Sequence, residues 1–231
     1  MKIIMEVIAL SLEDIIIAQE NGADRIELAF GLAEGALTPS YGFMELARKI
    51  SRIPIFPIIR PRHGDAVYSS AEIASMKRDI QVAKETGMDG VVFGVVDKNN
   101  WVAVDLMEEL IMTAGSMDVT FTRVFDSTPD PLEAMEQLQK FTAIKRILTS
   151  GQADSLIAGA AMIKKFQSKA GERFSFMPGL GINPENVVEI VQATGAREFH
   201  MGVGLRMPEG PFGTLDGARV RKVRELLDNL S

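Results

Sequence analysis

The feature that most constrains the fold is a regular alternation of short apolar segments with longer segments of helical length. Eight apolar segments each end in a polar residue and a loop, and a helical segment follows, so the unit repeats eight times in 231 residues. Strands that alternate with helices indicate a parallel sheet, because a parallel strand returns through a crossover helix. No linker or change in composition divides the units. We therefore expect a single domain, residues 1–231.

Eight consecutive units predict a (β/α)8 TIM barrel, the α/β fold in which eight parallel strands close inside a ring of helices. A doubly wound open sheet is the alternative architecture. That fold prefers fewer strands and usually has a glycine-rich turn after its first strand, where this chain has Ile8-Ala9-Leu10-Ser11. We therefore favour the barrel.

The ends of the elements follow from capping and breaking residues. Ser11, for example, is a predicted N-cap and Gly22 a stop for the first helix. The predicted strands are 3–8, 25–30, 55–60, 90–94, 118–124, 145–148, 173–177 and 198–201, and the predicted helices are 12–20, 39–50, 70–85, 104–114, 129–141, 154–170, 183–194 and 214–230.

The composition excludes several classes of partner and chemistry. The 25 Lys and Arg are interspersed among 31 Asp and Glu, whereas nucleic acid requires clustered basic residues. The absence of cysteine excludes disulfides and thiolate ligands or nucleophiles. No apolar run approaches the roughly 20 residues of a transmembrane helix, and Glu6 interrupts the apolar start. We expect no nucleic-acid or membrane partner, no signal peptide and a cytoplasmic location.

Polar residues at the ends of the predicted strands form the candidate site. The carboxyl ends of barrel strands converge on one rim, where enzymes of this fold hold their catalytic groups. Strand parity places Glu6 and Glu27 inside the barrel, because alternate residues of a strand point to the same face. The candidate catalytic residues are Glu6, Glu27, Arg60, Arg123, Asp126 and His200.

This set of side chains has two interpretations. The arginines could hold an anionic substrate, a carboxylate could transfer a proton, and His200 could relay one near neutral pH. Alternatively, the six residues form a buried salt-bridge network that fills the barrel mouth. We favour a site for a small anionic molecule, because desolvating so many charges is costly when they have no role.

Glycines and hydroxyl groups after the sixth to eighth strands form a second candidate feature. Barrels often bind phosphate with the last two of these loops, where glycine lets backbone N–H groups approach an anion. The predicted anion-binding residues are Arg62, Thr149, Ser150, Gly151, Gly179, Gly181 and Gly202. The alternative is that these glycines only form tight turns.

The 13 methionines raise the question of a soft-metal site, since thioethers suit Cu(I). They are scattered without ligand spacing, so core packing is the better interpretation, and only Met201 and Met207 lie near His200 in sequence. We interpret His63 as a solvated loop residue and Trp101 as a loop anchor or contact surface. The sequence therefore assigns no metal ligand and no definite cofactor.

Several motifs, taken together, resemble the CutC family over nearly the whole chain. They are Met5-Glu6-Val7, residues 22–28, 32–35, 37–42, 59–62 and 89–94, Thr120-Phe121, Arg123, Phe125-Asp126, residues 148–151 and Pro178-Gly179. The resemblance implies a TIM barrel, a cytoplasmic location, a homo-oligomer (we expect a dimer) and a role in copper homeostasis. It makes copper a candidate partner beside the small anionic molecule.

The chain departs from this family pattern at the soft ligands. Ile8 and Ala29 stand where the family commonly has cysteine, and Thr122 where it commonly has histidine. Direct Cu(I) binding through thiolates is therefore excluded, and the copper role is weakened. The alternative function is a barrel enzyme of lyase or isomerase type that acts on a small anionic or phosphorylated carbonyl or sugar compound. A third interpretation is a binding barrel without turnover.

Overall fold

Eight parallel strands alternate with eight α-helices in the computed structural model, which describes residues 2–230. The barrel strands are β1 (Ile4–Ala9), β2 (Arg25–Leu28), β3 (Ile55–Pro57), β4 (Gly90–Phe93), β5 (Asp118–Phe121), β6 (Ile144–Thr149), β7 (Ser175–Pro178) and β8 (Glu198–Met201). The helices are α1 (Leu12–Glu20), α2 (Tyr41–Ile50), α3 (Ser70–Glu85), α4 (Val104–Ala114), α5 (Pro131–Leu138), α6 (Leu156–Ala170), α7 (Val187–Thr194) and α8 (Gly217–Asp228).

The strands close into a barrel through two four-stranded parallel arcs. One arc has the order β3-β2-β1-β8 and the other β4-β5-β6-β7. A parallel bridge between Ile58 and Val92 links β3 to β4, and β7 lies beside β8. The last strand pairs with the first, so that Glu6 lies opposite His200. The predicted (β/α)8 TIM barrel is thus confirmed.

Side-chain caps start six of the eight helices within residues 2–230; α1 and α3 begin at the predicted residue, and the other four begin two or three residues later. Ser11 accepts a hydrogen bond from the backbone of Asp14, and Ser69 forms a capping box with Glu72 at the start of α3. The Asp130 side chain accepts hydrogen bonds from the backbone of Leu132 and Glu133 at the start of α5. These caps satisfy backbone N–H groups that have no partner within the helix. No helix within residues 2–230 is long and apolar enough to cross a membrane.

The structure differs from the sequence prediction mainly in the loops on the carboxyl side of the strands. β5 ends at Phe121 rather than at residue 124, because Thr122 accepts a hydrogen bond from the Val124 backbone and starts a 3-10 helix, Arg123–Ser127. A short antiparallel hairpin, β9 (Arg206–Met207) with β10 (Thr214–Leu215), occupies part of the predicted loop and the start of the last predicted helix. Two-residue strands carry too little periodicity to be recognised in a sequence.

The two faces of the barrel wall have different chemistry. Outward residues such as Met5, Val7 and Ile26 are fully buried in the apolar core between strands and helices. Inward positions form only a small apolar cluster: Ile8, Ala29, Ala36, Phe56, Ile58 and Val92. The remaining inward positions include buried charged residues. The interior of the barrel is therefore where the site must be sought.

Candidate functional site

A cavity of about 590 Å³ opens at the carboxyl side of the barrel. Each strand contributes a lining residue at or just beyond its end; in order these are Ile8, Glu27, Ile58, Gly94, Thr122, Leu148, Gly179 and His200. This volume lies within the roughly 300–1,000 Å³ typical of small-molecule sites. The cavity is thus positioned by the whole barrel rather than by one loop.

Glu27 and His200 line this cavity at its floor, and the fully buried Glu6 contacts His200 from behind, so the three form one buried cluster. Glu6 Oε1 lies 2.7 Å from His200 Nδ1, and Glu27 Oε2 lies 4.0 Å from the same nitrogen. The other oxygen of Glu6 accepts a 2.5 Å hydrogen bond from Nε of Arg25. Glu27 Oε2 is buried and has no hydrogen-bond partner among the described residues. The floor therefore carries one carboxylate oxygen with unused hydrogen-bonding capacity.

Their surroundings give Glu6 and Glu27 very different pKa values. Burial alone would raise the pKa of Glu6, but the charge of Arg25 and the hydrogen bond to His200 outweigh it and lower that pKa to about 2. Burial raises the pKa of Glu27 to about 7, with repulsion from Glu6 adding to it. Burial opposes the charged form of His200, yet the negative charges of Glu27 and Glu6 raise its pKa. Glu6 is thus a permanent anion, while Glu27 can exchange a proton near neutral pH.

Ion pairs continue below the cluster toward the amino ends of the strands. Arg25 Nη2 lies 2.7 Å from Glu198 Oε2, which lies 3.0 Å from Arg146 Nε. Arg146 also pairs with Asp118 at 3.4 Å. Both guanidinium groups lie over the ring of Phe56, at 5.6 and 5.0 Å from its centre. We call Arg25, Glu198, Arg146 and Asp118 the ionic column; it fixes the position of Glu6 from below.

Arg60 lines the cavity at its rim and has no carboxylate within ion-pairing distance among residues 2–230. Its guanidinium donates instead to the backbone oxygens of Gly35 and, at 2.6 Å, Gly64, and it also contacts the Tyr68 hydroxyl. Backbone carbonyls orient the group without neutralising it. Arg60 is therefore a preorganised positive charge that faces the cavity.

Arg123 and Asp126 have separate roles. Arg123 lines the cavity, is 41% exposed, and makes a 3.2 Å ion pair with Asp126. Asp126 accepts hydrogen bonds from the Thr149 hydroxyl and from the backbone and hydroxyl of Ser150, so it joins the loops after β5 and β6. It does not line the cavity. The structure therefore places Asp126 as a brace for Arg123 rather than at the floor.

The predicted anion-binding residues divide into two groups. Gly179, Gly181 and Gly202 line the cavity. A Cβ atom on Gly179 would lie 2.6 Å from Leu148 Cδ1 and 3.0 Å from His200 Cβ, so this glycine leaves room for the imidazole.

The other group lies away from the cavity. Thr149 and Ser150 bond to Asp126, and Gly151 packs against Gly159. Arg62 pairs with Glu72 and Asp65.

Arg25 is the residue of the site that sequence reasoning missed. It lies two positions before Glu27, and strand parity predicts the same inward face for both, but the sequence analysis assigned it no role in the site. Strand parity likewise predicts an inward side chain for Glu198, two positions before His200, and for Arg146 on β6. These residues lie near the amino ends of the strands, whereas the predicted site residues lie at the carboxyl ends.

The three side chains of the cluster offer oxygen and nitrogen donors to a metal ion, and the nearby sulfur of Met177 accepts a 3.2 Å hydrogen bond from Arg25 Nη2. One donor atom each from Glu6, Glu27 and His200 lies within 4.8 Å of the others. Met201 is buried in the outer core, and Met207 is exposed on β9. Cu(I) prefers thiolate and thioether ligands, so this donor set does not fit it.

Comparison with known proteins gives a consistent result. The model of the CutC family matches residues 3–205. A family protein CutC from Chromobacterium violaceum is 42% identical over 97% of this chain and 98% of its own length. The human protein named copper homeostasis protein cutC homolog is 37% identical over 98% of this chain and 90% of its own length.

Solved structures give the same fold. The putative copper homeostasis protein CutC of Streptococcus agalactiae superposes with a TM-score of 0.82 at 31% identity, covering 87% of this chain and 98% of that one. Phosphoribosyl anthranilate isomerase of Thermotoga maritima has a TM-score of 0.67 at 14% identity, covering 98% of this chain and 99% of its own; this likeness concerns the fold alone.

Proposed function

The chain belongs to the CutC family, and from that premise we propose that it is a barrel enzyme acting on a small anionic carbonyl or sugar compound. The reaction is of lyase or isomerase type and uses acid–base chemistry in the cavity at the carboxyl side of the strands. One observation carries this proposal. The buried Glu27 oxygen without a hydrogen bond lies at the floor of a cavity whose rim holds Arg60, a guanidinium with no carboxylate partner.

The rim supports binding of the anionic end of the substrate. Arg60 is held by backbone oxygens and keeps its full positive charge. Arg123 keeps part of its guanidinium exposed while Asp126 orients it. A guanidinium presents paired donors that match carboxylate or phosphate oxygens. The glycines at positions 179, 181 and 202 leave space beside these groups.

The floor supports a proton transfer at the uncharged end. Glu27, rather than Glu6, is the carboxylate that takes a proton from the carbon beside the carbonyl, because Glu6 is occupied by Arg25 and His200. His200 gives a proton to the carbonyl oxygen and is oriented through its Nδ1 by Glu6. Its other nitrogen remains for the ligand. Arg25 is a positioning residue, since it acts through Glu6.

Thermal unfolding in the presence of inorganic phosphate or a sugar phosphate tests the anion site. A ligand that binds only the folded state stabilises it and therefore raises the melting temperature. At a ligand concentration one hundred times the dissociation constant, the added free energy of unfolding is about 2.7 kcal/mol. We expect this rise in the natural protein and in the control Arg52→Met, which removes an exposed arginine. Arg60→Met should abolish the rise. An unchanged rise in Arg60→Met would show that the assigned role is wrong.

Solvent deuterium tests the chemistry. Incubation of a small-molecule extract with the protein in deuterated water should introduce deuterium at carbon into one anionic compound, and Glu27→Gln should prevent it. Binding without turnover, the third interpretation, predicts a ligand-induced rise in melting temperature but no labelling. The two measurements together distinguish an enzyme from a binding barrel.

Copper handling is the second candidate function, and the names given to the human and Streptococcus agalactiae relatives favour it. In its direct form it requires a Cu(I) site, which oxygen and imidazole donors supply poorly. Titration of Cu(I) against a competing chelator tests that form. We expect no saturable site tighter than about micromolar; a tighter site would restore the copper assignment.

We also propose a cytoplasmic location and a homodimer as the working state, without a nucleic-acid partner. The net charge of -6 and the absence of a basic block support the last point. Light scattering on the purified chain tests the dimer, and a monomeric mass at micromolar concentration would contradict it.

A further inference from the structure

The buried charges inside the barrel do not balance. Glu27, Glu6 and Glu198 form one connected group with two guanidinium groups, Arg25 and Arg146, while Asp118 at the far end is 38% exposed and solvated. One buried negative charge remains when His200 is neutral. A low-dielectric interior disfavours uncompensated charge, so a proton or a cation must compensate it.

The deficit is greatest at the upper end of this group. Arg25 lies against the Oε2 side of Glu6, while the Oε1 side faces His200 and Glu27. Glu27 Oε2 is the one carboxylate oxygen of the three side chains that is both buried and without a hydrogen bond in the described part of the chain. A buried acceptor left unsatisfied costs about 1–3 kcal/mol. This oxygen is directed into the cluster and shows where an additional positive group would be stabilised.

The donor spacing suits a small metal ion after side-chain adjustment. Donors around a tetrahedral Zn²⁺ lie about 3.3 Å apart, given ligand distances of about 2.0–2.2 Å. The two observed distances to His200 Nδ1, 2.7 Å from Glu6 and 4.0 Å from Glu27, fall on either side of that value. Arg25 on the outer oxygen of Glu6 matches the hydrogen-bonded support that metal-ligating carboxylates usually have.

We propose that Glu6, Glu27 and His200 bind one divalent cation of the Zn²⁺ class at the floor of the cavity. Three protein ligands leave at least one position of the ion open toward the cavity, the arrangement of catalytic rather than structural zinc sites. Carboxylate and imidazole donors select a divalent ion over Cu(I).

This inference goes beyond the acid–base function proposed above. A bound cation and a bound proton are alternative ways to neutralise the same cluster, so the cation-bound protein is a separate state. In that state the open position of the ion, rather than Glu27, faces the ligand. The rim residues Arg60 and Arg123 keep their roles in both states.

Calorimetric titration of the chelator-treated protein with Zn²⁺ tests the site. We expect one ion per chain. Glu27→Gln should weaken binding more than about 100-fold, because loss of only an outer partner of a metal ligand costs about 10–100-fold. Glu34→Gln, which changes an exposed carboxylate near the cavity edge, should bind as the natural protein does. Equal affinity for Zn²⁺ in the two variants would overturn the proposal.

Imidazole NMR signals locate the ion independently. The chain has two histidines, His200 in the cluster and His63 in an exposed loop. Zn²⁺ should shift the His200 signals at one equivalent and leave those of His63 unchanged; the reverse pattern would assign the ion to the surface and end the proposal. Phosphate-induced stabilisation, measured in chelator-treated protein, reports on the anion site alone. Failure of the proposed function and failure of the cation site can therefore be recognised separately.

Discussion

The barrel interior has a lower half, at the amino ends of the strands, and an upper half, at their carboxyl ends. Both halves contain carboxylates and guanidinium groups, but the two halves differ in the partners of these groups. In the lower half, Arg25 and Arg146 each have two carboxylate partners, although one buried donor, Arg146 Nη1, makes no hydrogen bond. In the upper half, Glu27 has an oxygen without a hydrogen bond, and Arg60 has no carboxylate partner among the described residues. The lower half can hold its groups in place, while the upper half keeps interactions available for a ligand.

This difference teaches that charge alone does not identify a site inside a barrel. A buried ion pair that is already complete fixes geometry, because removal of one partner leaves an uncompensated charge. A charge held only by backbone groups, or buried without a hydrogen bond, can gain from a ligand. The distinction predicts that variants in the two halves will affect different measurements.

The largest expected effect is on stability, from a change in the lower half. Arg25→Met leaves Glu6 and Glu198 without their shared partner, so we expect a loss of about 3–5 kcal/mol in the free energy of unfolding. Arg78→Met, which breaks the exposed pair with Glu85, should cost only about 0–1 kcal/mol. Urea unfolding measures both. Equal losses would remove the distinction between a completed interior pair and a surface pair.

A change in the upper half should affect stability in a pH-dependent way. Burial raises the pKa of Glu27 to about 7 from 4.5, so the folded protein binds an extra proton between these values. The protonated Glu27 contributes about 3 kcal/mol to the free energy of unfolding below pH 4.5. This contribution is lost as pH rises through about 7. In chelator-treated protein, the free energy of unfolding of Glu27→Gln minus that of the natural protein should therefore be more favourable at pH 8 than at pH 4.5. The same difference for Glu34→Gln should not change with pH. A pH-independent difference from the natural protein would contradict the raised pKa.

Packing beside His200 should show a smaller effect. Gly179→Ala places a methyl group 2.6 Å from Leu148 and 3.0 Å from His200, and overpacking of this kind costs about 1–3 kcal/mol. Gly181→Ala meets no atom within 4 Å but has a φ of +61°, so its cost is backbone strain of about 1–2 kcal/mol. Only Gly179→Ala should also shift the His200 NMR signals. An unshifted His200 would show that Gly179 does not position it.

The smallest expected change concerns the protonation of His200. The negative charges of Glu27 and Glu6 raise the pKa of this imidazole above 6.5 despite its burial. Its contribution to stability is therefore present below pH 6.5 and is lost as pH rises through the higher, folded-state pKa. Glu6→Gln should move the NMR titration of His200 to lower pH. A titration that moves to higher pH would contradict the assigned contact.

The parts of this molecule that were predictable are those with a strict period. The alternation of strands and helices indicated the barrel, and strand parity placed Glu6 and Glu27 inside it. The loops after the strands have no such period. Their side chains take partners that depend on the tertiary fold, which is why Asp126 bonds to the β6 loop and Arg62 to Glu72 instead of facing the cavity.

The phosphate-induced change in melting temperature of two variants tests the division of the barrel interior most directly. Arg146→Met, in the lower half, should melt earlier than the natural protein in buffer yet show the same rise with phosphate. Arg60→Met, at the upper rim, should melt within a few degrees of the natural protein, since it loses two hydrogen bonds of about 1 kcal/mol each, and should show no rise. A full rise in Arg60→Met, or a loss of the rise in a folded Arg146→Met, would contradict the account.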